Sequence, residues 1–98
     1  MRVGIAGVGR IGALHAENVV GLIGPDAVLV ADADAGRATA VAEKLGTRAV
    51  SGVDELFTTG IDGLVIAVPT DAHAALVVRA VQAGIPVFCE KPIAPDIA

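Results

Sequence analysis

The stretch GVGRIG, residues 7–12, follows directly on the short apolar run RVGIA, residues 2–6. Its reading decides the fold. Twelve of the 98 residues are glycine, so the spacing G-x-G-x-x-G means little by itself. Its position gives it meaning, because it closes one predicted strand and opens a predicted helix, as a phosphate-binding turn must. Gly7 permits the tight turn, Gly9 lets the backbone approach a pyrophosphate, and Gly12 lets the helix pack close on the strand. The unpaired N–H groups and positive dipole end of that helix then hold the anion. Gly7, Gly9, Arg10, Ile11 and Gly12 are therefore expected to line a dinucleotide. The plainer alternative is a glycine-rich turn that serves packing and binds nothing.

Working outward, strands alternate with helices. A helix is expected from Arg10 to about Val20, closed by Gly21. AVLVAD (27–32) reads as a second strand. The Ala-rich segment 35–45 reads as a helix with Gly46 just past its end. RAV (48–50) reads as a short third strand and VDELF (53–57) as a helical turn. GLVIAV (63–68) is the strongest strand in the chain. TDAHAALVVRAVQAG (70–84) has the marks of a helix, from threonine at its start to glycine at its end. IPVFC (85–89) is the last strand. Strands alternating with helices of about a dozen residues imply an α/β fold, a doubly wound parallel sheet with right-handed crossovers. No internal repeat, low-complexity tract or linker interrupts it, so residues 1–98 read as one domain.

The dinucleotide reading makes a second demand, an acidic residue about 20 positions beyond the glycines at the end of the second strand. Asp32 meets it. Its carboxylate can accept from both hydroxyls of the adenosine ribose and would repel a 2′-phosphate, which points to NAD. Asp34 is the alternative, although its place suits a helix cap. Arg37 could serve a 2′-phosphate, but a solvated helix position is the simpler account of it.

Composition narrows the function. The chain is 54% hydrophobic with two aromatic residues, so its core is aliphatic, as strands covered on both faces require. Mean hydropathy is +0.72, high enough to suggest surface that something else normally covers. A net charge of −4 without a basic run argues against nucleic acid, whose binding needs Lys and Arg on phosphates. Arg10, Asp26, Arg37 and Arg79 keep every apolar run below the roughly 18 residues of a membrane span. The first nine residues have a charge followed by an apolar stretch, but three glycines and Arg10 make a poor secretion signal. One cysteine excludes an internal disulfide and fits a reducing compartment, so a cytoplasmic location is expected. The two histidines, Cys89 and the scattered carboxylates lack metal-ligand spacing, and no metal is expected.

Two further stretches bear on chemistry. In AVPTDAH (67–73), Pro69 ends the fourth strand, Thr70 caps a helix and Asp71 favours its dipole. Helix initiation alone explains all of this. Yet the carboxyl ends of strands one and four flank the crevice of a doubly wound sheet, so Pro69 and Thr70 should line the cofactor path. His73, one turn into the helix, is read as structural more readily than as catalytic. In FCEKPIA (88–94), Glu90 and Lys91 emerge at the same edge of the sheet. Adjacent residues of an extended chain point opposite ways, and Pro92 restricts Lys91 to extended conformations. One side chain can then face the crevice while the other anchors the loop. A lysine beside a nicotinamide can hydrogen-bond a substrate hydroxyl and, if desolvated, act as acid or base. Composition alone favours a surface salt bridge.

GIAGVGRIG, Asp32, AVPTDAH and above all AGIPVFCEKPIA together resemble the N-terminal half of the Gfo/Idh/MocA oxidoreductases, over essentially the whole chain. The resemblance implies a Rossmann domain and an NAD-dependent dehydrogenase of polyols or sugars, inositol-like polyols first. It implies that Lys91 is the active-site lysine, contacting the substrate hydroxyl and the nicotinamide ribose. Glu90 becomes its structural or cofactor-side neighbour, and His73 the histidine often found after the fourth strand. The family often has Thr-Pro-Asn where this chain has Val68-Pro69-Thr70, so contacts of that asparagine do not carry over. Cys89 is read as a small buried hydrophobe. Family members are more than three times as long and carry a second α/β domain with most substrate contacts. The chain is therefore expected to be a truncated piece that binds NAD but does not turn over, and whose full-length form is a homo-oligomer. An isolated piece could instead pair through its fifth-strand edge. The readings left open are a dehydrogenase's cofactor half, a stand-alone dinucleotide-binding module, and a structural domain that binds nothing.

Overall fold

The computed structural model describes residues 1–68 and 70–89, and the side chains of 70–73 and 89 fall outside that description. Pro69, Glu90 and Lys91, singled out above, therefore lie outside the described residues. Five parallel strands form one sheet in the order β3-β2-β1-β4-β5. They are β1 (Val3–Ala6), β2 (Val28–Ala31), β3 (Arg48–Ala49), β4 (Gly63–Ile66) and β5 (Val87–Cys89). Val3 pairs with both Val28 and Gly63, and Ala6 with both Ala31 and Ile66. The chain winds outward from β1 to β3, returns to β1's other side at β4, and winds outward again. That reversal puts the switch point, where such sheets hold ligands, between the carboxyl ends of β1 and β4.

The aliphatic composition becomes two cores, one on each face. Side chains alternate along a strand, and β2 is buried at all four positions. Val28 and Val30 join Ile5, Val65, Ala16, Ala38 and Ala42 under helices α1 (Arg10–Ile23) and α2 (Ala35–Leu45). Leu29 and Ala31 join Leu64, Ile66, Leu56 and Leu76 under α3 (Val53–Thr58) and α4 (Thr70–Gln82). Arg79 ties those two helices together, pairing with Asp54 and lying 4.4 Å from the centre of the Phe57 ring.

Several boundaries move from the sequence expectation. Helix α1 does not stop at Gly21 but runs to Ile23, where Gly24 at φ 93° closes it and Pro25 blocks continuation. A single exposed glycine inside a helix costs only about 1 kcal/mol. A 3₁₀ turn over Pro25–Ala27 then delays β2 to Val28. Strands β4 and β5 are likewise shorter than their apolar runs: β4 stops at Ile66 as hydrophobicity continues through Ala67 and Val68 into the loop that borders the crevice, and β5 starts at Val87, after Ile85 and Pro86 at the opposite edge of the sheet. Helix α2 begins on its Asp34 cap and ends at Gly46 with φ 73°, as its pattern indicates. Helix α4 ends at Gln82, two residues before Gly84.

The β5 edge differs from the rest. Phe88 pairs with Val65 and so shares the face of α1 and α2, yet it is 73% exposed. Among the described residues, no helix covers it.

Candidate dinucleotide site

Both neighbours of β1 help to shape the turn that follows it. Gly7 donates to the Ala31 carbonyl of β2 at 2.8 Å, while Ala67 donates to the Ala6 carbonyl at 2.8 Å. The turn requires φ +94° at Gly7, and a Cβ there would stand 2.7 Å from the Ala67 carbonyl oxygen. Gly12 is more restricted still, because its Cβ would fall 1.8 Å from the carbonyl oxygen of Gly7. No side chain other than hydrogen fits. Gly9 is different. The nearest atom to a Cβ at Gly9 is Nη1 of Arg37, 3.8 Å away, so this position is open rather than crowded. The first two roles are packing; the third leaves room for something to approach.

Gly9 is also the N-cap of α1, and among the described residues no side chain caps that helix and no acid stands in its first turn. The first-turn N–H groups therefore keep their hydrogen-bonding capacity and the positive end of the dipole is left uncompensated. An anion fits there. Arg10 and Ile11 form the first turn of α1 with their side chains turned elsewhere: the Arg10 side chain lines a separate groove with Leu14, Glu17 and Lys44, and Ile11 is exposed.

Asp32 stands beside the turn, just past β2. It is the one buried charged residue among those described, 9% exposed. Its Oδ2 accepts from the N–H of Val8 at 2.8 Å and its Oδ1 from the N–H of Asp34 at 2.8 Å. The two bonds fix the carboxylate's orientation and tie the end of β2 to the glycine turn. Each oxygen keeps a second acceptor site. Arg37 Nη1 lies 3.7 Å from Oδ1. Asp34, the alternative acid, is committed elsewhere, as its Oδ1 accepts from the N–H of Arg37 at 3.1 Å and caps α2.

A cleft of about 750 Å³ runs over these groups, within the range of small-molecule and cofactor sites. Gly7, Gly9, Asp32, Ala33 and Arg37 border it on one side; Ala67, Val68, Ala75 and Leu76, from β4's end and α4, border it on the other. Ser51, Gly52 and Val53 close the outer end. The last three went unnoticed in the sequence, as did Val8. Their roles come from tertiary placement, with no local signal beyond the position of 51–53 at the end of a strand. Ser51 is held by Glu55, whose carboxylate accepts from the Ser51 hydroxyl at 2.6 Å and from its N–H at 2.8 Å. The Ser51 hydroxyl bond, then the Ser51 N–H bond and the charge of Arg48, hold the Glu55 carboxyl below its ordinary value.

Thr70 and His73 begin α4, on the β4 side of the cleft, and only their backbone is described. Among the described residues no group of three or more His, Cys, Asp or Glu could hold a metal ion, and no helix is long and apolar enough to cross a membrane.

A glycine turn open at one point, an uncapped helix, a buried carboxylate at the end of the second strand and a cleft at the switch point define an NAD(P)-binding Rossmann domain. Residues 1–98 match the family model described as the oxidoreductase family, NAD-binding Rossmann fold (GFO_IDH_MocA), and the chain belongs to that family. It is 40% identical over 100 residues to an inositol 2-dehydrogenase of Leifsonia xyli subsp. xyli, covering 100% of this chain and 30% of that protein. Among solved structures, it is similar to a myo-inositol dehydrogenase from Corynebacterium glutamicum ATCC 13032, with TM-score 0.83 and 44% identity over 95% of this chain and 28% of that one. It is also similar to the UDP-N-acetylglucosamine 3-dehydrogenase GnnA of Acidithiobacillus ferrooxidans, with TM-score 0.81 and 39% identity over 94% of this chain and 28% of that one. Related structures include one in complex with NAD and one with NADP. The chain thus spans about three-tenths of the length of the curated relatives it matches.

Proposed function

We propose that this chain is the cofactor-binding part of an NAD-dependent dehydrogenase that moves a hydride between a polyol or sugar CH–OH group and NAD. Inositol-like polyols are the first candidates, since the similar proteins include enzymes named for inositol. The cofactor, when bound, supplies the hydride acceptor. The chain's own residues do the rest. The first turn of α1, reached over Gly9, holds the pyrophosphate on backbone N–H groups. Asp32 accepts from the ribose hydroxyls with the acceptor sites left free by Val8 and Asp34, and its charge disfavours a 2′-phosphate. Pro69, Thr70 and His73 lie along the path toward the nicotinamide. Lys91, with Glu90 as neighbour, takes the proton of the substrate hydroxyl as the hydride leaves, a role carried over from the family resemblance. A second domain supplies most substrate contacts, and the complete enzyme is a cytoplasmic homo-oligomer. The chain alone binds NAD without turnover.

The observation that supports the NAD reading is the buried, pre-oriented carboxylate of Asp32 beside an uncapped helix. Calorimetric titration of the chain with NADH and NADPH tests it. NADH should bind the more tightly. Equal or inverted affinities would remove Asp32 from its role, and a chain that binds neither would leave the glycines as a packing turn.

A further inference from the structure

We propose that the groove between the outer faces of α1 and α2 docks a second copy of this chain, with the two α1 helices packed antiparallel about Leu14. The groove shares no lining residue with the cleft at the switch point, so the inference does not depend on the dinucleotide reading. Shape, charge and symmetry carry it together.

The groove encloses about 240 Å³, and its apolar lining is Ala13, Leu14, Val41 and Leu45. A lone exposed leucine is ordinary on a protein surface. Leu14, 55% exposed, instead borders a concavity lined by other aliphatic side chains. Arg10, Glu17 and Lys44 complete the lining. Among the described residues none of these three has an ion-pair partner. Arg10 and Glu17 cannot supply one another, because they lie seven residues apart on α1, beyond the spacings of three and four at which helix side chains meet.

The order of these residues names the occupant. Arg10 lies four positions before Leu14 and Glu17 three after it, all lining one groove. A two-fold axis near Leu14 therefore sets Arg10 of each copy against Glu17 of the other, and the same patch supplies both halves of the contact. Leu14 of each copy enters the groove of its partner, and Lys44 offers the incoming carboxylate a second cation. A uniformly acidic or basic partner would meet one like charge, whereas this chain's own α1, turned end for end, meets none. Two helices a side make a small interface, and exposed ion pairs contribute little. The dimer is accordingly weak, with a dissociation constant on the order of 100 µM at low salt.

The test is sedimentation equilibrium of the chain without cofactor, from about 10 µM to about 1 mM, a range that brackets the expected constant. Wild type should pass from monomer to dimer over that range, and less completely in salt of about 0.5 M, which screens exposed charges. Glu17→Arg places like charges across the axis and should weaken association about tenfold or more. Adding Arg10→Glu to that variant restores opposite charges in reversed order and should recover the dimer. Leu14→Glu should leave a monomer. All three positions are exposed, so circular dichroism should show each variant folded; if Leu14→Glu is not, the charge reversal and its rescue decide alone. A wild type that stays monomeric to about 1 mM overturns the proposal. So does a dimer that Glu17→Arg leaves intact, and loss of that dimer in Phe88→Lys would place the contact at the β5 edge instead.

Discussion

The turns after β1 and β2 each start a helix at the carboxyl edge of the sheet, and they treat its N-terminus in opposite ways. After β2 the chain caps its own helix, with the Asp34 side chain accepting from the N–H of Arg37. After β1 the cap is Gly9, which has no side chain to offer, and among the described residues no acid follows in the first turn. One end is satisfied from within; the other is left for an external anion. After β3 the cap is again a glycine, Gly52, with no side-chain hydrogen bond, but Asp54 and Glu55 stand in the first turn of α3, where their charge offsets the dipole, and Glu55 also holds the N–H of Ser51 ahead of the helix. Of these three turns, the one after β1 alone has neither a side-chain cap nor a first-turn acid among the described residues. It is also the one whose backbone leaves no room for a side chain at Gly7 and Gly12.

That contrast is broken most severely at Gly12. Gly12→Ala places a methyl 1.8 Å from the Gly7 carbonyl oxygen, and neither a helix backbone nor a hydrogen-bonded turn can yield that distance without α1 lifting off the sheet. Overpacking of this kind costs about 3 kcal/mol or more, and dinucleotide binding should vanish with it. Chemical denaturation and calorimetry check the two losses together. A Gly9→Ala control meets only the arginine tip at 3.8 Å, so it should keep its stability while weakening cofactor binding. Equal destabilisation by both would show that the two glycines share one packing role.

The two aspartates sharpen the comparison. Asp32→Ala strips a buried acceptor from the Val8 N–H and should cost about 1–3 kcal/mol, while the preference for NADH over NADPH disappears. Asp34→Ala removes only a helix cap, worth about 1 kcal/mol, and should leave that preference in place. Urea unfolding and paired titrations separate them. Loss of preference in Asp34→Ala would transfer the ribose contact to that residue.

How much of this could be read from the sequence follows the same division. The strand–glycine–helix turn, the acid at the end of β2, the cap at Asp34 and the sheet's class all show as local patterns, since each depends on residues close in the chain. Helix α2 shows both its ends, because Asp34 and Gly46 are chemically specific stops. The end of α1 did not show, because Gly21 is a weaker stop than the Gly24–Pro25 pair that follows it. The bond from Val8 to Asp32 spans 24 residues and has no local signature. Ser51 looked like an ordinary polar position until the sheet order set it at the cleft, and Arg37, weighed for a 2′-phosphate but read as a solvated helix residue, lines that cleft too. Phe88 shows the limit from the other side: its run reads as a buried strand, and it stands exposed at the β5 edge.

The smallest expected effect concerns Glu55, whose satisfied turn can be loosened with acid. Its carboxyl sits below the ordinary value of 4.5 because the Ser51 hydroxyl and N–H favour the charged form. For a carboxyl depressed in the folded state, the stabilisation is fully present above the unfolded value and declines as pH falls through the folded one. The side chain is only partly buried and its partner Ser51 is exposed, so the effect is slight. Glu55→Gln keeps an acceptor for Ser51 and removes the charge. Its melting temperature should therefore lie a little below wild type at about pH 7 and converge on it as the pH falls through the lowered value of Glu55, where both side chains become neutral. Because Ser51 closes the outer end of the cleft, the affinity for 5′-AMP should show the same convergence if the bond also sets the shape of that wall. A difference in melting temperature that stays constant across the range would mean that the charge contributes nothing. Glu55 would then hold Ser51 by geometry alone, as Asp34 holds the start of α2.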